Sequence, residues 1–228
     1  MIPIKDHNPS GEIPFITYFL LAVNIFVFLY MFFLPADRLE SFIYSYALIP
    51  ALITSGQNLI SLFTSMFIHA GFGHIFGNLL FLNIFGDNLE NYFGHFKFLI
   101  FYFAAGLGAA FLQILVNPLS EIPMMGASGA IAGVMGAYLL LFPKNPIDIL
   151  FSFGLFLHRT VIPAWAMLFY WFFFQLISGV GSLGVEQGSD VAYFAHIGGF
   201  LTGIGLTLLL RNKSQSKTAK VFRTSIGY

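Results

Sequence analysis

The sequence contains no cysteine and few charged residues. The first shortage limits the kinds of site that the protein can have, and the second argues against a soluble protein. Without cysteine, disulfides and thiolate metal sites are excluded. Only 9% of the 228 residues are charged, whereas soluble domains contain about 25%. The composition is instead 57% hydrophobic and 18% aromatic, with a mean hydropathy of +0.82. The chain is therefore predicted to be an integral membrane protein.

Six apolar segments approach the roughly 20 residues that a helix needs to cross a bilayer core of about 30 Å. A further apolar run, Ile147–Leu157, is too short to span and lies between Lys144 and Arg159, so we expect it at the membrane interface. The predicted fold class is an all-α membrane protein, a bundle of six transmembrane helices. Their predicted ranges are about 15–34, 61–86, 97–116, 126–142, 160–178 and 191–210.

Positive charge is distributed asymmetrically between the predicted loops. If the N-terminus is cytoplasmic, nine lysines and arginines lie on the cytoplasmic side and only Arg38 lies outside. Basic residues favour the cytoplasmic side, so both termini are predicted there. Residues 1–14 form a short N-terminal segment, and the first span is expected to be an uncleaved anchor. Residues 211–228 form a basic tail, interpreted as a topology determinant rather than a nucleic-acid-binding patch.

Four polar residues are predicted at similar depth in the outer half of the membrane. Ser128 opens the fourth span, His196 lies about five residues into the sixth, and His74 and Asn78 lie in the second. His74 and Asn78 are spaced i, i+4 and therefore share one helix face. Polar groups are costly within a bilayer and usually have a function there.

Stripes of small residues predict that the fourth and sixth spans approach closely, because small side chains let helix backbones come together in lipid. We therefore expect a hydrogen bond between Ser128 and His196. One stripe comprises Ser128, Gly129, Ala132, Gly133 and Gly136, and the other Ala192, His196, Gly199 and Gly203.

A serine paired with histidine is the minimum for nucleophilic catalysis, with imidazole as general base and acid. No carboxylate lies at a suitable depth to complete a triad, so the sequence predicts a dyad. His74, Asn78 and the backbone N–H of Ser128 could donate hydrogen bonds to an oxyanion. His69 lies five residues before His74, so the two side chains would not share one helix face unless the helix begins between them. We predict a structural role for His69, in which it ties the long outer loop to the second helix.

Other chemistries fit less well. A metal site would need a motif such as HExxH, which is absent. An aspartyl protease would need two carboxylates at matched depth, but Asp87 and Asp190 are predicted at opposite faces. A transporter remains open, although no inverted repeat is evident.

At these residues the sequence resembles the rhomboid family of intramembrane serine proteases. Three motifs carry the resemblance, which covers residues 60 to 210. They are Gly126-Ala127-Ser128-Gly129 for the family's GxSG, His69 to Asn78 for HxxxxHxxxN, and Ala195-His196 to Gly203 for AHxxGxxxG.

The resemblance implies a six-helix core over residues 15–210 with Ser128 as nucleophile and His196 as general base. It implies an oxyanion hole of His74, Asn78 and the Ser128 amide, with supporting residues His69, Gly126, Gly129, Gly133, Gly199 and Gly203. The expected partners are transmembrane protein substrates and membrane lipids, with no nucleic acid, metal or cofactor. Substrates would enter near the fifth helix, beside the glycines of residues 179–188. A bacterial inner membrane is the expected location.

The sequence departs from the family pattern at two places. Many members have a Trp-Arg pair in the first outer loop, which is missing here, and some have a tyrosine four residues after the nucleophile, where this chain has Ala132. The anchoring of the loop and the orientation of His196 must therefore differ. The alternative function is a non-proteolytic, rhomboid-like factor that binds membrane helices.

Overall fold

Nine helices and three strands make up the part of the chain that the computed structural model describes, which is residues 1–8, 10–153, 156–183 and 191–211. The strands are β1 (Ile2–Asp6), β2 (Pro146–Phe153) and β3 (Phe156–Pro163). The helices are α1 (Phe15–Phe32), α2 (Ala36–Tyr46), α3 (Pro50–Thr54), α4 (Ser61–Thr64), α5 (Phe72–Phe93), α6 (His95–Val116), α7 (Ser128–Leu141), α8 (Ala164–Gly181) and α9 (Tyr193–Leu210).

Among the described residues, four helices are long and apolar enough to cross a membrane, namely α1, α6, α8 and α9. A fifth candidate is a broken pair, residues 61–67 followed by α5, bent by 95°. Helix α7 is shorter, with 14 residues, and most of its side chains are buried between α5, α6, α8 and α9. The chain is thus a mostly helical membrane protein, while the count of six spans and the orientation of the termini remain predictions.

The second predicted helix, 61–86, is wrong as a continuous element. Helix α4 and a 3-10 turn at Ser65–Phe67 precede a break, and α5 begins only at Phe72. Ile68 and Gly71 have extended backbones at the break, and glycine at 71 and 73 weakens helix propensity. Helix α5 then continues to Phe93, beyond the predicted end.

A three-stranded antiparallel sheet makes the all-α description incomplete, and most of the apolar run Ile147–Leu157 lies in its strands β2 and β3, while the interfacial location of this run stays a prediction. β2 and β3 form a hairpin, and β1 pairs with β2 in the order β1-β2-β3. Ile147 and Ile149 are buried on one face and belong to the main core. Because β3 continues to Pro163, α8 begins four residues later than the predicted span at 160. Alternation of buried isoleucines suits a strand packed on helix ends.

Polar contacts fix β1 and β2 at this end of the bundle. His7 donates to the buried carboxylate of Asp148 at 3.0 Å, and Arg159 of β3 pairs with the same carboxylate. Asp6 accepts from the hydroxyl of Tyr138 on α7 at 2.9 Å. The first residues of the chain are therefore attached to the same end of the bundle as the connection between α7 and α8.

The segment between α1 and α5, predicted to be the first outer loop, is folded and is anchored without a Trp-Arg pair. Leu48 and Met124 exchange two backbone hydrogen bonds of 2.9 and 2.7 Å, which join this loop to the segment before α7. The hydroxyl of Thr64 donates to the carbonyl of Tyr46 at 2.8 Å. The loop thereby supports the approach to Ser128.

Candidate active site

Ser128 is the first residue of α7, directly after a tight backbone turn. Gly126 has φ of +120°, a conformation that favours glycine, and its N–H donates to the carbonyl of Ser65 at 2.9 Å. Because the first amides of a helix have no intrahelical acceptor, the Ser128 N–H is free of the helical hydrogen-bond pattern. The turn thus presents both the hydroxyl and an amide donor of Ser128 at a helix N-terminus.

His196 lies in the first turn of α9, and its imidazole meets the serine. The Oγ of Ser128 and the Nε2 of His196 are 2.8 Å apart, a normal hydrogen-bond distance. Two residues that are 68 positions apart in sequence are therefore in direct contact. This contact can transfer a proton from the hydroxyl to the imidazole.

Glycines hold α7 and α9 at this short separation. A β-carbon at Gly199 would overlap the carbonyl of Gly129, and one at Gly203 would overlap the carbonyl of Gly133. Gly136 approaches the carbonyl of Phe200 in the same way. The structure thus brings the two small-residue stripes together, as close backbone approach requires.

His74 and Asn78 both lie beside Gly126, on one face of α5. A β-carbon built on Gly126 would lie 2.6 Å from Nε2 of His74 and 3.6 Å from Nδ2 of Asn78. The Nδ2 of Asn78 is buried and has no hydrogen-bond partner among the described residues. An unused amide donor next to the turn before Ser128 suits the stabilisation of negative charge on a bound substrate.

A cavity of about 440 Å³ opens at these residues. Its wall includes His74, Ser128 and His196, while Ala109, Ala110 and Gly129 contribute small apolar surfaces. An apolar cavity with a few convergent polar groups is typical of a binding or catalytic site. Within the described residues, no group of three His, Asp or Glu side chains is arranged to hold a metal ion.

His69 lies outside α5, in the break that precedes it. Its ring is 2% exposed and packs edge-on against His74, with 5.1 Å between the ring centres. Helix α5 starts between these two histidines, so they do not share one helix and the offset expected from helical spacing does not apply to them. The structural role of His69 stays a prediction.

Two glutamines at the site were missed by the sequence analysis. The Oε1 of Gln175 on α8 lies 2.8 Å from Nδ1 of His196. The Oε1 of Gln113 on α6 accepts from the amide of Ala195 in the first turn of α9 at 3.2 Å. Both were visible as amides within long apolar segments, where an uncompensated polar side chain is costly. The neighbouring Trp171 also packs on His196, with ring centres 5.7 Å apart.

Other predicted features lie largely outside the described residues. The glycine-rich loop after α8 is described only to residue 183 and again from 191, and the basic tail is described only at Arg211. The substrate-entry role given to residues 179–188 therefore remains an expectation from the resemblance.

Taken together, the helices and the site define a helical membrane protein with a buried serine and histidine in contact at a cavity. Residues 56–213 match the Rhomboid domain family. The chain is 32% identical over 176 residues to RHOMBOID-like protein 6, mitochondrial, of Arabidopsis thaliana, which covers 77% of this chain and 51% of that protein. The chain belongs to the rhomboid family.

Relatives from other organisms show the same similarity. Identity is 32% over 137 residues to Rhomboid protease GluP of Bacillus subtilis, which covers 58% of this chain and 25% of that protein. Identity is 28% over 193 residues to Rhomboid protein 1, mitochondrial, of Saccharomyces cerevisiae, with coverages of 83% and 51%. The chain spans about half the length of the curated relatives it matches, or less. Because several relatives carry organellar names, they give no support to the predicted bacterial inner membrane.

Proposed function

We propose that this chain is an intramembrane serine endopeptidase that hydrolyses peptide bonds within or near the transmembrane segments of single-pass membrane proteins. The observation that carries the proposal is the 2.8 Å contact between Ser128 Oγ and His196 Nε2 at the wall of a cavity. Membership of the rhomboid family supports the same reaction, since the Bacillus relative is named a rhomboid protease.

The proposed reaction proceeds in two steps. Ser128 Oγ attacks the carbonyl carbon of the scissile bond while His196 Nε2 accepts the hydroxyl proton. The carbon–nitrogen bond then breaks, and the imidazolium gives its proton to the leaving amine, which leaves an ester on Ser128. Water then attacks this ester while His196 Nε2 takes its proton. The bond to Ser128 Oγ breaks, the imidazolium returns the proton to Oγ, and the second fragment leaves with a free carboxyl group. No metal or cofactor takes part.

The developing oxyanion is proposed to be bound by three donors, the Ser128 amide, His74 and Asn78. The position of His74 and Asn78 beside Gly126 and the unpaired Nδ2 of Asn78 support this role. Loss of one such donor costs about 100- to 1,000-fold in turnover in measured proteases. The scissile bond must be extended to reach Ser128, so we expect helix-destabilised segments to be preferred.

The proposed topology has six spans and cytoplasmic termini. Pairing of β1 with β2 supports this topology, because an N-terminal segment and an α7–α8 connection that share one sheet would lie on the same side of the membrane, with an even number of spans between them. Four spans would lie between them: α1, the bent pair that includes α5, then α6, and then α7. Helix α7 is about 21 Å long, but enclosure by other helices lets it end short of both surfaces.

A cleavage assay tests the proposal. The chain, purified and reconstituted in liposomes, is expected to cut a reporter with a glycine-containing, helix-destabilised transmembrane segment. Ser128→Ala and His196→Ala should each abolish cutting while leaving the thermal unfolding midpoint nearly unchanged. Retained cleavage in Ser128→Ala would overturn the proposal. A wild-type protein that captures the reporter without cutting it would favour the non-proteolytic binding factor.

A further inference from the structure

The second ring nitrogen of His196 has a partner that the serine–histidine pair alone does not explain. Gln175 projects from α8 and places its Oε1 2.8 Å from Nδ1 of His196. The amide is half-buried, although many of its neighbours on α8, such as Phe173 and Ile177, are exposed apolar side chains. A polar side chain on the inner face of an otherwise lipid-facing helix requires a reason.

The amide oxygen of Gln175 determines which imidazole nitrogen carries the proton. An amide oxygen only accepts hydrogen bonds, so Nδ1 of His196 must be the donor. In a neutral imidazole the other nitrogen, Nε2, is then unprotonated. Nε2 is the atom that faces the hydroxyl of Ser128 at 2.8 Å. The two contacts together produce the tautomer that a general base requires.

In serine proteases with a triad, a carboxylate holds the histidine in this tautomer. Among the described residues, no carboxylate hydrogen-bonds to His196, whose polar side-chain contacts are Ser128 and Gln175. Ala132, which stands where some rhomboid proteins have a tyrosine, contributes only a methyl group to packing. The orientation of the ring must therefore come from another element.

Helix α8 supplies a second contact that restricts the ring. Trp171 precedes Gln175 by four residues and therefore lies on the same helix face. Its ring packs against His196 with 5.7 Å between the ring centres and 39° between the planes. The indole limits tilting of the imidazole, while the Gln175 amide fixes its rotation and its proton.

We propose that Gln175 is the positioning residue of the active site, the neutral counterpart of the triad carboxylate. The assignment rests on the proposed protease function and adds an element to it, the α8 amide that orients His196. Among the described residues, Gln175 does not line the cavity at Ser128, and its hydrogen bond goes to His196 rather than to the serine, so its effect is expected to pass through the imidazole.

Two substitutions separate this role from simple packing. Gln175→Met keeps an unbranched side chain of similar length but removes the amide acceptor. Gln175→Glu restores an acceptor oxygen and adds negative charge. Leu176→Met is the matched control, because it places the same methionine one residue further along α8 at a more exposed position, 39% exposed in the wild type.

Cleavage kinetics in liposomes give the first test. Gln175→Met should lower kcat by about 10- to 100-fold with little change in KM, since a donor on His196 loses its partner. Gln175→Glu should recover most of this loss and move the acid limb of the pH profile to higher pH, because a carboxylate stabilises the imidazolium. Leu176→Met should behave as wild type. Unchanged kcat in Gln175→Met, or an unmoved acid limb in Gln175→Glu, would overturn the assignment.

A spectroscopic test does not depend on turnover. In protein with ¹⁵N-labelled histidine, the His196 resonances are identified by their absence from His196→Asn. Wild type should show a protonated Nδ1 and an unprotonated Nε2, and Gln175→Met should show a mixture of tautomers. The same mixture in wild type would overturn the positioning role. If this tautomer is fixed but no substrate is cleaved, only the proposed protease function fails; if cleavage occurs and the tautomer is insensitive to Gln175, only the assignment fails. Thermal unfolding of each variant verifies that it is folded.

Discussion

Gly199 of α9 lies so close to Gly129 of α7 that a β-carbon on Gly199 would overlap the Gly129 carbonyl. Gly129 directly follows Ser128 in sequence, and Gly199 lies about one turn after His196. The separation of the two helix backbones at this point therefore determines the separation of the serine and the imidazole. The 2.8 Å contact at the site depends on the absence of a side chain at Gly199.

Gly199→Ala should reduce cleavage by about 100-fold, because displacement of a catalytic group by about 1 Å can cost this much. It should also lower the thermal unfolding midpoint, since overpacking costs about 1 to 3 kcal/mol. Gly205→Ala on the same helix is the control, because a β-carbon there meets no described atom within 4 Å. Equal kinetics for the two variants would show that the helix contact does not determine the site geometry.

Gly126→Ala tests the turn before the nucleophile. The new β-carbon would lie 2.6 Å from Nε2 of His74 in a backbone with φ of +120°, so both strain and displacement of the donor are expected. Turnover should fall by about 100-fold, as for loss of an oxyanion donor. Gly73→Ala, which adds a methyl group in open space at the start of α5, should retain activity. The prediction fails if both variants turn over substrate at the wild-type rate.

Asn78→Ala tests the unpaired donor. Its Nδ2 makes no hydrogen bond within the part of the chain that the structure describes, so removal should lower kcat by about 100-fold with a smaller change in KM and stability. Asn83→Ala, which removes an exposed asparagine from the same helix, provides the comparison and should leave kcat unchanged. An effect confined to KM would remove Asn78 from the proposed oxyanion hole.

Asp148 gives a prediction about stability and pH away from the membrane core. Hydrogen bonds from His7 and Arg159 hold the pKa of the Asp148 carboxyl below its usual 3.8. A lowered folded-state pKa stabilises the fold above pH 3.8, and this contribution is lost as the pH falls through the lower folded value. Asp148→Asn should therefore lower the unfolding midpoint at pH 7, and its difference from wild type should shrink below pH 3.8.

The control for this series is Glu40→Gln, which neutralises an exposed carboxylate on α2. Its midpoint should stay near wild type at pH 7. A gap between Asp148→Asn and wild type that persists undiminished at the lowest pH would show that packing, not charge, accounts for the effect.

The helical parts of the fold and the principal site contacts were predictable because they depend on local composition. Apolar run length located the main helices to within a few residues, apart from the second. Small residues repeated at helical spacing indicated the approach of α7 to α9, and with it the meeting of Ser128 and His196. Each of these patterns can be recognised within one segment of the sequence.

The remaining features depend on contacts that no single segment displays. His7 and Asp148 are 141 residues apart, so the pairing of β1 with β2 could not be inferred from either strand alone. The break before α5 follows from the extended backbone at Ile68 and Gly71, which hydropathy does not detect. In the sequence, Gln175 is one polar residue in an apolar helix. Its contact with His196, which suggests a positioning role, is evident only in the folded chain.

The central claim, that His196 activates Ser128 as a nucleophile, is tested most directly by covalent labelling with a fluorophosphonate probe. Mass spectrometry of the labelled protein should locate the adduct on Ser128 in wild type. Labelling should be absent in Ser128→Ala and strongly reduced in His196→Ala. An unlabelled Ser128 in folded wild-type protein, or equal labelling of Ser128 without His196, would contradict the claim.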